Sequence, residues 1–223
     1  MSITKSHPQN ITSPSGNSLA IYKDSLTNIL YLKDINGIIS PITDSISAFN
    51  RRLFSQTADG INITNTTDET NLLGTGEGTL SVPPNSFQVG YSYNFKIGGV
   101  ISTNGGAETI QIRVDTSSGG VAVPLADSGL QNLTVLNNET FILDLNFTIR
   151  EVGGVGTATI LTYGSMFFPK STSGSLEGFE FRFLEDTNFD TTIAQTILVT
   201  AQWGDNKITN SIQSQYATLV QVY

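Results

Sequence analysis

The sequence predicts an all-β protein: a jelly-roll-like antiparallel sandwich of about eight strands, preceded by a small N-terminal β-hairpin segment and a short linker or helix. Three observations predict it. Apolar and polar residues alternate, segment after segment, through the C-terminal two-thirds of the chain. Gly, Asn and Pro turns separate those segments. No apolar pattern of helical period reaches the length of an ordinary helix.

Residues 1–18 are dominated by Ser, Thr, Asn, Pro and Gly, and read as a flexible N-terminal arm with too little apolar content for a core. Residues 19–43 read as a β-hairpin attachment segment. Leu19-Ala-Ile-Tyr-Lys is one strand and Ile29-Leu-Tyr-Leu-Lys its return. Asp34-Ile-Asn-Gly then turns the chain into Ile38-Ile-Ser-Pro-Ile. Asn36-Gly37 is a turn signal because both residues tolerate φ > 0. A meander this small is marginal in water. Its apolar residues Ile21, Tyr22, Leu30, Tyr31, Leu32, Ile38 and Ile39 are therefore expected to form an attachment interface with another protein.

Residues 44–75 read as a linker with a short helix. Asp44 or Ser45 could cap it, and Ile46, Phe49 and Leu53 recur at helical spacing beside Arg51 and Arg52. That stripe either packs on the next domain or self-associates on a trimer axis. Residues 57–75 are polar throughout their Asn-, Thr- and Asp-rich run, as a linker would be.

The main domain is expected to span 76–223. Tyr91, Tyr93, Phe95 and Ile97 share one face of a strand; Ile110, Ile112 and Val114 do so in the next. Phe141, Leu143, Leu145, Phe147 and Ile149 alternate with polar residues, as do Phe179, Phe181 and Phe183. Ile197, Val199, Ala201 and Trp203 precede a Gly-Asp-Asn turn, and Tyr216, Thr218, Val220 and Val222 form the last strand. Gly78–Val82, Val121–Leu125 and Thr157–Met166 supply further strands. Thr159-Ile-Leu-Thr-Tyr and Ile197-Leu-Val are apolar on both faces. The outer face of a sandwich normally meets water, so these point to a covered second face, most simply a subunit interface.

Charged residues make up only 13% of the chain, against a usual share of about a quarter. Eleven Lys and Arg face 19 Asp and Glu, a formal charge of −8 with no basic stripe, which argues against nucleic acid as a partner. There is no cysteine, so disulfides and thiolate metal sites are excluded. The N-terminus lacks the apolar core of a signal peptide, and no apolar run is long enough to insert as a membrane-spanning helix.

The one histidine, His7, lies in the arm, which excludes a histidine-based triad or metal centre in the main domain. Carboxylates are the remaining catalytic candidates: Glu108, Asp115, Asp144, Glu151, Glu177, Glu180, Glu185 and Asp186. A glycosidase needs two facing each other across a sugar, and the spacing picks out no such pair. Asp186-Thr-Asn-Phe-Asp190 has part of the spacing of a calcium loop but lacks its terminal Glu, and reads as a turn. Gly74-Thr-Gly-Glu-Gly and Gly153-Gly-Val-Gly lack the Lys-Ser/Thr of a P-loop and read as hairpin connections. Sequons such as Asn62-Ile-Thr and Asn146-Phe-Thr are expected by chance in so Asn- and Thr-rich a chain. Trp203 is expected to be partly buried at a strand end. No catalytic residue, cofactor or metal ligand is assigned, and the chain is expected not to be an enzyme.

The segment Phe147-Thr-Ile-Arg-Glu-Val-Gly-Gly-Val-Gly-Thr-Ala, and the run from Asn188-Phe-Asp-Thr-Thr-Ile through Ala201-Gln-Trp-Gly-Asp to the last strand, resemble a C-terminal jelly-roll module of structural proteins in tailed bacteriophages and some large DNA viruses. The hairpin around Tyr31-Leu-Lys-Asp-Ile-Asn-Gly is similar to short attachment repeats of phage fibre proteins. The resemblance implies a head-fibre, decoration or spike protein at the particle surface, made in the host cytoplasm. It would be a homotrimer, anchored to capsid or tail proteins by its N-terminal segment. The alternative is a tail-fibre or spike module that binds a receptor or host glycan. A jelly-roll glycosidase ranks third.

Overall fold

Sixteen consecutive residues, Leu136–Glu151, form the longest strand among the described residues. They bury Phe141, Leu143, Leu145, Phe147 and Ile149 on one face, as the alternation predicts. The computed structural model describes residues 4–5, 20–23, 30–33, 36–41, 51–104, 108–118, 121–170, 173–185 and 188–222. Two units, 1–49 and 50–223, are distinguished. Among the described residues there is no helix.

The first unit holds a four-stranded sheet in the order β1 (Thr4–Lys5), β2 (Ala20–Lys23), β3 (Leu30–Lys33), β4 (Ile39–Pro41). β2 and β3 are the expected antiparallel pair, with Ile21 opposite Leu32 and Tyr22 opposite Tyr31. Gly37, at φ +80°, makes the expected turn into β4. Within the segment expected as an arm, Thr4–Lys5 pairs in parallel with β2; the rest of 1–18 lies outside the described residues.

The second unit contains β5 (Arg51–Gln56), β6 (Ile63–Thr64), β7 (Thr70–Asn71), β8 (Gly76–Gly78), β9 (Ser81–Val82), β10 (Ser92–Thr103), β11 (Thr109–Ser118), β12 (Val121–Asp127), β13 (Gln131–Asn132), β14 (Leu136–Glu151), β15 (Thr159–Pro169), β16 (Leu176–Glu185), β17 (Gln195–Trp203) and β18 (Ser211–Gln221). Eight of these have seven residues or more, as expected. One sheet runs β16-β15-β14-β10-β18-β5-β8, with β6 also on β18; the other runs β12-β11-β17-β7, with β13 on β11 and β9 on β17. The pairings β10–β18 and β11–β17 nest chain-distant strands as a jelly roll does, while β14, β15 and β16 add an antiparallel meander beside β10.

One core lies between the two sheets. Tyr93, Phe95 and Ile97 of β10 sit opposite Phe147, Leu145 and Leu143 of β14, and Tyr93 stacks on Phe147 at 4.8 Å. Ile110, Ile112 and Val114 of β11 and Val199, Ala201 and Trp203 of β17 supply the other side. Phe179 and Phe181 of β16 are only partly buried against this core.

Two expectations are corrected. Arg51–Gln56 is a strand, not a helix: β5 pairs with β18, placing Phe54 opposite Leu219, and Phe54 is 5% exposed. Leu53 is half-buried and packs against the core of its own domain. Ile46 and Phe49 lie outside the described residues. The helical spacing of Ile46, Phe49 and Leu53 passes over Phe54, whose burial is secured by a partner strand more than 160 residues away in sequence. The main domain also begins before 76. Residues expected as linker form β6 and β7, and Gly76–Gly78 is an edge strand on β5 instead of a simple connection.

Candidate functional site

Of the residues expected to attach the first unit to a partner, Ile21, Tyr31, Leu32 and Ile39 are half-buried and Ile38 is exposed. Tyr22 and Leu30 hold their strand positions on β2 and β3.

Most of the carboxylate candidates do not converge. Among the described residues Asp144 and Glu180 alone come together, on either side of Ser165 on the outer face of the larger sheet. Glu108 is buried, and its Oε1 accepts a hydrogen bond from Lys207 Nζ at 2.6 Å, which holds the carboxyl below its ordinary range. Glu177 is likewise lowered by Lys170, at 2.6 Å, and by the Thr134 hydroxyl. Glu151 and Glu180 are exposed. Glu185 ends β16, and Asp186 lies outside the described residues. Asp190 accepts bonds from the backbone NH and hydroxyl of Thr192, a local turn of the kind expected.

Asp115 is a further exception. It is 4% exposed on β11, where the pairing with β12 is irregular, and it lies beside Glu69. Burial, then the Glu69 charge, push its carboxyl up to about 6. Arg113 donates to Glu69 at 2.5 Å and to Asp127 at 3.3 Å, and the Thr200 hydroxyl donates to Glu69 at 2.6 Å. The Asp115–Glu69 pair is thus stitched into the sheet and does not face another acid across a cleft. Among the described residues, no group of three or more His, Asp or Glu is placed to hold a metal ion.

Trp203 is 1% exposed, more deeply buried than expected, and its Nε1 donates to Ile63 O at 3.0 Å. It presents no ring to a ligand.

The built surface is the outer face of the larger sheet. Strand register aligns outward residues into rows that cross several strands. One row is Arg182–Tyr163–Asn146–Asn94–Val220. The next is Glu180–Ser165–Asp144–Lys96–Thr218. The third is Gly178–Phe167–Ile142–Gly98–Tyr216. Over β14, β15 and β16 these rows form an open groove of ≈ 650 Å³. A second depression of ≈ 580 Å³ lies toward β18 and β5, and Asn146 lines both.

Tyr163 is 53% exposed and Phe167 43%; Ile142 on β14 and Leu184 on β16 are exposed beside them, and Tyr216 is exposed farther along the same face on β18. Phe167 lies against bare backbone: a Cβ added at Gly178 would stand 2.8 Å from its ring. The polar members are tied together. Asn94 Nδ2 donates to Asp144 Oδ1 at 2.7 Å and to Asn146 Oδ1 at 2.9 Å, and Lys96 Nζ is 3.5 Å from Asp144. Sequence reasoning placed Asp144 on the surface correctly. It missed the groove, because Tyr163 and Phe167 meet Arg182 and Glu180 only through strand pairing.

No protein-family model matches the chain, and no curated protein matches its sequence. Solved structures similar to it include the CBM2 module of an evolved Dit from Lactobacillus casei BL23 phage J-1, at 12% identity over 64% of this chain and 67% of that one, with a TM-score of 0.27. Another is winged bean acidic lectin complexed with methyl-α-D-galactose, at 8% identity over 95% of each chain, with a TM-score of 0.31. Both are β-sandwich proteins, and both likenesses are too distant to bear on function.

Proposed function

We propose that the protein is a virion structural protein, a capsid-attached head fibre or decoration protein that projects its sandwich from the particle as a homotrimer. The observation that carries this reading is the division of the chain at Phe49/Asn50 into two unequal units. Among the described residues, the smaller has strands of only two to four residues. A sheet that small is marginal by itself and gains stability by pairing with a partner, as in strand addition. The larger unit closes a core of its own. An anchor that folds against capsid or tail proteins, followed by a self-sufficient head, is the layout a particle-borne fibre needs. Such a protein would be made in the host cytoplasm and carried on the particle surface.

Sedimentation velocity on the full chain tests the trimer, with a species of three chain masses expected; a monomer at micromolar concentration overturns it. Antibody raised against residues 50–223 tests the location, with labelling of the surface of purified particles expected. Its absence from particles, with the protein abundant in the infected-cell lysate, overturns a structural role.

A further inference from the structure

A solvent-facing sheet face is normally polar, yet β14 and β15 expose Ile142 and Phe167 as paired neighbours with Tyr163 farther along β15, and Leu184 follows on β16. None is needed by the core, which the opposite parity of each strand fills. We propose that the groove over β14, β15 and β16 is a binding site for a neutral oligosaccharide, with Tyr163 and Phe167 as stacking platforms and the polar row between them as the hydroxyl-binding floor.

Geometry sets the ligand's shape. Tyr163 and Phe167 are four residues apart on one strand, so their Cα atoms are separated by about 13 Å. One sugar ring cannot lie on both, whereas a short chain of rings reaches from one to the other. The two depressions joined at Asn146 extend the track across the sheet.

Chemistry sets its class. A pyranose has an apolar ring face, which suits an exposed aromatic, and a rim of hydroxyls that need both donors and acceptors. Ser165 lies between Asp144 and Glu180. The Glu180 carboxylate is an acceptor for hydroxyls, and Asp144 keeps acceptor capacity on Oδ2, its Oδ1 already accepting from Asn94 and Asn146. Asn146 and Arg182 beside Tyr163 are donors. Asp144 is already held by Asn94, Asn146 and Lys96, so its acceptor geometry is set before a ligand arrives.

Charge decides between occupants. A second copy of the chain docked here would desolvate Asp144 and Glu180 at the centre of the contact, where protein interfaces are depleted of charge. Over the groove itself an anionic sugar would meet both carboxylates, with Arg182 and the Asp144-bound Lys96 as the facing cations among the described residues of the three rows; Arg52 lines only the second depression. A neutral glycan satisfies the carboxylates while leaving them hydrated.

The test is a printed array of neutral and sialylated oligosaccharides probed with the full chain, followed by calorimetric titration of the brightest neutral oligosaccharide. Tyr163→Ala and Phe167→Ala are each expected to weaken that binding about tenfold. Ile208→Ala, exposed but outside the groove, is expected to leave it unchanged. Sedimentation and thermal unfolding should match wild type in all three variants. No signal on the array overturns the proposal, and so does signal confined to sialylated glycans. Wild-type affinity in both groove variants also overturns it. A groove variant that changes oligomeric state while glycan binding persists assigns the face to a second copy instead.

Discussion

Asp115 is a side chain whose placement runs against its chemistry: a carboxyl buried on a strand beside a second carboxyl, Glu69. Its native pKa, about 6, lies above the ordinary 3.8, so between those values the folded state binds more protons than the unfolded one. Stability contributed by the protonated form is therefore present in full below about pH 4 and is lost as pH rises through 6. The isosteric Asp115→Asn variant mimics the protonated carboxyl and removes this loss. Its stability relative to wild type should rise between pH 4.5 and 7.5, by about 2 kcal/mol, in urea unfolding at the two pH values. A difference that is flat with pH would show that Glu69 and Arg113 compensate the charge. Trp203 gives a second expectation. As the only tryptophan, and a buried one, its native fluorescence should resist iodide quenching and become quenchable on unfolding. Its alternation with Ile197 and Val199 is visible in the sequence, but the bond to Ile63 O is not. That bond joins residues 140 apart, which accounts for the full burial that a strand-end position did not suggest.

At the scale of elements, β5 shows how a local pattern can mislead. Ile46, Phe49 and Leu53 fit a helical stripe, yet Arg51–Gln56 extends along β18. Helical and strand periods cannot be told apart over so few residues. An available sheet edge then decides, since it offers backbone hydrogen bonds and burial of Phe54 together. Phe54→Ala is expected to cost about 3 kcal/mol in chemical denaturation, as a truncated core aromatic does; a cost under about 0.5 kcal/mol, typical of a surface position, would return this segment to the status of a linker. The strands with five or more alternating residues, β10 and β14 above all, were legible because a period of two sustained that long fits nothing else. β6, β7 and β9 have two residues each and no period to read. On β16, Gly178 looks like a weak point in a strand, but it is where the Phe167 ring is seated. Gly178→Val should do more than displace that ring: its Cβ would collide with the Met166 carbonyl oxygen, so the β15–β16 pairing must give way as well, detectable as altered aromatic and backbone amide shifts and a lowered melting temperature.

For the whole second unit, where the sandwich begins has a direct consequence. A fragment covering 50–223 keeps β5, β6 and β7 and should unfold in one cooperative transition close to that of the same unit in the full chain. A fragment covering 76–223 follows the boundary the linker-like composition suggests. It loses Phe54, Ile63 and Leu72 from the core, bares the edge of β18 and removes the carbonyl that Trp203 binds. It should aggregate or melt well below the longer fragment in differential scanning calorimetry. Equal midpoints would mean that residues 50–75 decorate the sandwich without completing it.

Composition and alternation by themselves determined the all-β class, the long strands, the inward faces of β10, β11, β14 and β17 and the turn at Asn36-Gly37. All of these follow from a residue's near neighbours, through side-chain period and backbone freedom. On β18 the alternating row Tyr216, Thr218, Val220 and Val222 faces outward, with Ala217 and Leu219 buried instead. Tertiary structure alone decided which strands are neighbours, that residues 51–78 belong to the sandwich, that Asp115 shares its burial with Glu69, and that Tyr163, Phe167, Asp144, Glu180 and Arg182 line one groove. Each depends on register between segments distant in the chain. A shift of one residue would turn every side chain of a strand to the opposite face.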